Sequence, residues 1–165
     1  MKPPFQHSPI TRWELPALER KGCIAQEVIG KKLILVHFHQ THTECTFPND
    51  LPVPRLEKKF KTVPRVDIRD TVAVGFLQKL SEISLVDILT IEGRSVRGKR
   101  WPERLETLRL LCDGFNENGK RKFPMAQQWE YGFMKAFDDV SANRKGGGLL
   151  VRVPGKTQAL LCVEK

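Results

Sequence analysis

The sequence predicts an α+β fold of antiparallel-rich sheets with packed helices. Three observations carry this. Short apolar runs at Cys23–Glu27, Lys32–His39, Asp70–Leu77, Ser84–Ile91, Leu149–Val153 and Ala159–Val163 read as strands. Two longer segments, Pro102–Cys112 and Ala126–Ala142, place apolar residues at helical spacing. Strand and helix segments are mixed in order, with enough strands for antiparallel-rich sheets.

In chain order, the proline-rich residues 1–13 predict an irregular arm, and Glu14–Lys21 a short helix. Cys23–Glu27 and Lys32–His39 are joined by a turn at Gly30, with Leu33, Ile34, Leu35 and Val36 as the apolar run of the second strand. Pro48, Pro52, Pro54 and Pro64 predict loop with short extended pieces over residues 40–67, since proline disfavours helix at itself and at the residue before it. Asp70–Leu77 and Ser84–Ile91 follow as strands, the second ending in a tight Glu92-Gly93 turn. Pro102 in the first turn and Leu105, Leu108, Leu111 and Cys112 on one face predict the first long helix. Asn116–Lys122 is a polar, basic loop. Trp129, Phe133, Ala136, Phe137 and Val140 predict the second helix over 126–142, as core residues against a sheet. Pro154-Gly-Lys-Thr turns the chain between the last two strands. Gly146-Gly-Gly lacks the Lys-Ser/Thr of a phosphate loop and precedes a strand, so it reads as a turn.

A chain of 165 residues suits one domain, here a short arm and helix over 1–20 and a main body over 21–165. Its 40% apolar and 28% charged residues describe a folded chain rather than a disordered tail. No apolar run reaches membrane-span length, and the N-terminus has no apolar signal-like core, so no membrane partner is expected. Cys23, Cys45, Cys112 and Cys162 are widely spaced, which favours free thiols in a reducing intracellular compartment such as cytoplasm, nucleoid or organelle matrix. Net charge is +9 with a pI near 9.6, which favours a polyanionic partner, because Lys and Arg release counterions from phosphates.

The segment Val86–Leu108 combines an apolar strand Val86-Asp-Ile-Leu, a Glu-Gly turn, a basic loop and a helix opening Trp-Pro-Glu-Arg-Leu. It resembles a stretch of the covalent nucleotidyltransferases: DNA ligases, RNA ligases and mRNA-capping guanylyltransferases. The similarity runs in order over about residues 20–165 to the adenylation domain of minimal ATP-dependent DNA ligases, and implies an ATP-grasp-like nucleotidyltransferase fold without the OB-fold that usually follows.

The resemblance also marks what is changed. The family's Lys-x-Asp-Gly-x-Arg motif, whose Lys attacks the nucleotide α-phosphate, looks like Glu27-Val28-Ile29-Gly30-Lys31-Lys32. Glu27 occupies the nucleophile position without a gap, and Val28 does so with a one-residue gap. Neither offers the amine lone pair that attack on phosphorus requires. The Arg-Asn-Gly turn looks like Phe47-Pro-Asn-Asp, without the Arg. The Glu that helps bind ribose or metal becomes Phe76, and the base-stacking aromatic becomes Val86. Gly147 stands at the metal-binding Glu, with Gly148 and Arg152 kept. Cys162 and Glu164 stand at two phosphate-binding lysines. This pattern predicts the scaffold without the covalent enzyme, and no cofactor. A living transferase would need another nucleophile, such as Lys31 or Lys32.

Basic residues form three clusters: Arg94, Arg97, Lys99, Arg100 and Arg104; Lys120, Arg121 and Lys122; and Lys58, Lys59 and Lys61. With Arg152 they are the candidate phosphate contacts to RNA or DNA. Trp101 and Phe123 sit beside them as candidate stacking rings, with Trp101 as a helix-start anchor the plainer reading. His37, His39, His42 and Cys45 crowd together, but their spacing fits no standard zinc finger. Half-buried hydrogen-bonded histidines and no metal are the expectation there. The expected function is a catalytically inactive, ligase-like nucleic-acid-binding or structural component of a larger nucleoprotein complex such as a ribonucleoprotein, with further protein partners. A protein–protein adaptor on the same fold is the alternative.

Overall fold

The computed structural model describes residues 7–28, 32–39, 42–53, 70–79, 82–114, 116–117, 120–121, 123–143, 147–157 and 159–163. They form two five-stranded sheets and three helices. The first sheet contains β1 (His7–Pro9), β2 (Ile24–Val28), β10 (Gln128–Trp129), β11 (Gly148–Arg152) and β12 (Ala159–Val163), in the order β1-β12-β11-β2-β10. The second contains β3 (Lys32–Phe38), β4 (Thr43–Thr46), β5 (Thr71–Lys79), β6 (Glu82–Ile91) and β7 (Arg94–Ser95), in the order β4-β3-β5-β6-β7. All pairings are antiparallel except β1 with β12. The α+β, antiparallel-rich fold class is the one the sequence predicts.

Period-two patterning gives each sheet two buried faces. Ala25, Leu149, Val151 and Cys162 turn outward from the first sheet against α1 (Leu15–Arg20) and α3 (Phe133–Asn143). Ile34, Val36, Phe38, Ala73, Ile83 and Leu85 turn outward from the second against α2 (Trp101–Gly114). Between the sheets, Val28, Leu150 and Ala159 of the first meet Val74, Phe76, Val86 and Leu89 of the second. The layers are therefore helix, sheet, sheet, helix, with an apolar core at each of the three junctions.

β6 is irregular in a way that matters. Val74 pairs with Asp87 and Gly75 with Leu85, so Val86 is an extra residue with no partner on β5. A second shift leaves Leu89 extra between Ile88 and Thr90. Such bulges bend a strand and take the inserted residue out of the ladder. At the strand's end, Glu92 (φ 49°) and Gly93 (φ 74°) both adopt positive φ, as a two-residue hairpin turn requires.

Several expectations are corrected. Within residues 42–53 the extended piece is a regular strand, β4, with Thr43, Cys45 and Thr46 buried against β3. The second long helix begins at Phe133, not Ala126. Gln128 and Trp129 are extended and pair with Gln26 and Ala25, Gly132 takes φ 72°, and the Glu19 carboxylate accepts hydrogen bonds from Gly132 N (2.8 Å) and Phe133 N (3.2 Å). Those are donors with no partner inside the helix, so Glu19 fixes where α3 starts. The arm contributes β1 and a 3-10 turn at Arg12–Glu14, and the basic loop carries the two-residue strands β8 (Asn116–Glu117) and β9 (Lys120–Arg121). The Gly30 turn and the Lys58, Lys59, Lys61 cluster lie outside the described residues. Among the described residues no helix is long and apolar enough to cross a membrane.

Candidate functional site

The inter-sheet junction is where most positions marked by the resemblance converge. Val28, Phe76 and Val86 share one buried cluster with Leu150. β2 alternates, so Gln26 and Val28 face the second sheet while Ala25 faces the helices. Glu27 therefore lies on the helix side, where it lines a surface hollow of about 240 Å³ with Gln127, Trp129, Asp139, Val140 and Asn143. Of the two registers for the nucleophile, Val28 is the residue that occupies the junction. The same parity argument applies to β12. Cys162 faces the helix-side core and Leu161 faces the junction, so Cys162 does not project toward Val28 and Phe76. Gly147 is buried ahead of β11, and Glu164 lies outside the described residues.

Beside this apolar cluster is an ionic one that spans both sheets. Asp87 of β6 (0% exposed) lies 3.0 Å from Arg152 Nη1 of β11 and 3.4 Å from Arg104 Nε of α2, both arginines being 2% exposed. Arg152 Nε donates to Gln26 Oε1 at 2.8 Å. The Val86 carbonyl, removed from the β5 ladder by the bulge, accepts from Gln26 Nε2 and Arg152 Nη2, each at 3.1 Å. Asp87 Oδ1 also accepts from Ile88 N at 2.7 Å. Trp101, buried at the start of α2, offers its ring face to both arginines, with Arg152 at 4.1 Å and Arg104 at 5.6 Å from the centroid. Burial draws the Arg152 guanidinium down to about 10, while Asp87 pulls the other way, so it stays cationic at neutral pH.

Two cations against one carboxylate leave a net positive charge inside the clamp. Two of its donors, Arg104 Nη2 and Trp101 Nε1, are buried and have no hydrogen-bond partner among the described residues. A buried charge cluster is held by its mutual contacts, because each member alone would carry the full cost of desolvation. What this arrangement does is fasten β6 and α2 to β2 and β11.

The candidate phosphate contacts therefore divide. Arg94 is exposed on β7, and Arg97, Lys99 and Arg100 are exposed on the loop from β7 to α2. That loop is pinned by buried Val96, whose N donates to Leu89 O at 2.8 Å, and by the turn from Lys99 N to Val96 O at 3.0 Å. Arg104, Arg152 and Trp101 point inward, and their burial takes them out of reach of a polyanion at the surface. The helix-start anchor is the role Trp101 has. Phe123 is likewise a core ring, packed edge-on against Phe38 at 5.6 Å. Lys120 and Arg121 place their backbone on β9, and Lys122 lies outside the described residues.

Sequence reasoning noted Asp87 but gave it no role, and missed Gln26. The available signal was a lone carboxylate in the apolar run Ile83–Ile91, which demands a buried cation.

No known protein family's sequence profile matches this chain, and no curated protein sequence matches it. Solved structures do. A mycobacterial DNA ligase D, determined in complex with ATP and MES, superposes with a TM-score of 0.65 at 14% identity, over 97% of this chain and 58% of that one. The ligase domain of LigD from M. tuberculosis superposes with a TM-score of 0.63 at 13% identity, over 94% of this chain and 60% of that one. The chain thus spans about three-fifths of these ligase chains and has the fold of a DNA ligase nucleotidyltransferase domain.

Proposed function

We propose, from that fold, that this is a ligase-like domain without covalent nucleotidyl transfer, which binds nucleic acid through phosphates as part of a larger nucleoprotein assembly. The observation that carries the reading is the state of the inter-sheet junction. The positions at which the family resemblance places a nucleophile, a ribose- or metal-binding carboxylate and a stacking ring hold Val28, Phe76 and Val86, packed on one another. None of the three can donate an electron pair to phosphorus or ligate a metal. Arg94, Arg97, Lys99 and Arg100 stand close together in sequence and exposed, and supply positive charge outside the junction.

Two measurements test this. Incubation with labelled ATP or GTP and Mg²⁺ is expected to leave no covalent protein–nucleotide adduct on a denaturing gel, and an adduct overturns the inactive assignment. Anisotropy titrations with single-stranded RNA and duplex DNA are expected to weaken steeply with salt. Four phosphate contacts give a slope of log K against log salt of about −3 for single strands and about −3.6 for duplex. Absence of binding at low salt removes the nucleic-acid reading. The protein-adaptor reading has one observation of its own: Trp13 and Tyr131 are each 77% exposed, and large exposed aromatics are enriched at protein interfaces.

A further inference from the structure

We propose that His39, His42 and Glu44 form a binding site for a divalent transition metal, zinc by its donor chemistry, at the hairpin joining β3 and β4. The site is separate from the inter-sheet junction and does not depend on the proposed function.

The sheet register builds it. His37 pairs with Glu44 and Val36 with Cys45, so Glu44 projects on the same face as His37 and, two residues along, His39. Cys45 projects on the opposite face with Val36, into the α2-side core. The cysteine that the sequence crowds beside the histidines is thus turned away, and a glutamate takes its place. His39 N donates to His42 O at 2.9 Å, and the His42 ring lies 4.5 Å from that of His39. One donor atom from each of His39, His42 and Glu44 then lies within 4.8 Å of the others.

One separation tests the fit. His39 Nε2 and Glu44 Oε2 are 3.3 Å apart. Ligands at about 2.0–2.1 Å from a tetrahedral zinc are about 3.3–3.4 Å from one another. Two imidazoles and a carboxylate select zinc, or cobalt as its spectroscopic substitute, over calcium and magnesium, which take oxygen ligands. Three protein ligands leave the fourth position of the tetrahedron for water. His37 stands behind the site, its ring stacked at 6.3 Å on His39 and its Nε2 3.2 Å from Thr46 Oγ1, which helps fix the orientation of His39.

The test uses the full chain, stripped with chelator and titrated with Co²⁺, then with Zn²⁺ to displace it. One saturable equivalent per chain is expected, with the visible absorption of four-coordinate cobalt and no thiolate-to-cobalt charge-transfer band. His42→Ala alters an exposed residue and should weaken binding at least about tenfold. Glu44→Gln should do the same, while Cys45→Ala should leave affinity within about threefold of the parent, because Cys45 is not a ligand. Each variant's far-UV circular dichroism is compared with the parent. The proposal is overturned by no saturable binding up to about 100 µM metal, a range that covers weak sites. A thiolate band, or binding unchanged in both His42→Ala and Glu44→Gln, overturns it equally.

Discussion

Replacing Asp87 by Asn probes the sheet-to-sheet clamp directly. The substitution keeps size and the Oδ1 that accepts from Ile88 N, so it removes charge and little else. Asp87 faces two guanidiniums at 3.0 and 3.4 Å, and all three residues are at most 2% exposed. At an effective dielectric constant of about 20, each contact is worth about 5 kcal/mol of gross attraction. Most of that is offset by the desolvation of the three groups, so the intact cluster contributes little net stability. The variant loses the attraction and keeps the desolvation, leaving two buried cations facing each other. Such one-sided removals cost about 3–5 kcal/mol, out of the 5–15 kcal/mol or so that holds a domain of this size. Urea unfolding followed by circular dichroism should show the unfolding free energy falling by that amount, through a lower midpoint at unchanged slope. In the Asp87→Asn, Arg152→Met double variant, part of the loss should be recovered, because one stranded cation is gone. A loss below about 1 kcal/mol for Asp87→Asn would refute the reasoning, since the clamp would then be relaxed or solvated despite its geometry.

Three further outcomes are expected. Glu19→Ala removes the carboxylate that caps Gly132 N and Phe133 N, and should lower stability by about 1 kcal/mol, read as a fall in Tm of about 2–4 °C. Gly148→Ala should lower stability by about 1–3 kcal/mol in chemical unfolding, because a Cβ there would collide with the Cys162 carbonyl and sit 2.9 Å from Val163 Cγ1. Burial pushes the Cys162 thiol up to about 11, and Cys23 also moves up by burial. The unfolded thiols ionise first, so this contribution to stability is complete below about pH 8.5 and declines toward pH 11, and native Cys162 should resist a disulfide reagent at pH 8 that labels it at once in urea.

Much of the fold is legible in the sequence because burial and period coincide. β12 spans Ala159–Val163 as expected, and α2 differs from its predicted bounds by one residue at its start and two at its end. The failures have identifiable causes. The stretch 126–142 has helical spacing throughout, yet its first residues are claimed by β2, and only the Glu19 cap, 113 positions away in sequence, decides that helix begins at Phe133. β4 has too few apolar residues to announce itself: Thr43 and Thr46 are buried by its partner strand rather than by their own character. Site reasoning fails in the same way. Arg104 and Arg152 look like their exposed neighbours in the sequence, and burial separates them. Glu44 has no local signal at all as a companion of His39, since that pairing comes from the β3–β4 register.

The bulge at Val86 links these levels. Without it, Val86 would alternate with Leu85 and Asp87 in an unbroken ladder, and its carbonyl would be spent on β5. The inserted residue sends the Val86 side chain into the inter-sheet core and leaves its carbonyl facing β2 and β11, where Gln26 and Arg152 meet it. It also shifts the alternation, so that Asp87 turns toward the same space. One extra residue thus supplies an apolar plug, a carbonyl acceptor and a carboxylate at one point of the junction. Two sheets packed face to face close on their side chains, or leave polar backbone buried and unpaired. In this chain Val28, Phe76 and Val86 provide the closure and the Asp87–Arg152–Gln26 contacts provide the pairing. A polar ligand entering there would have to displace both at once.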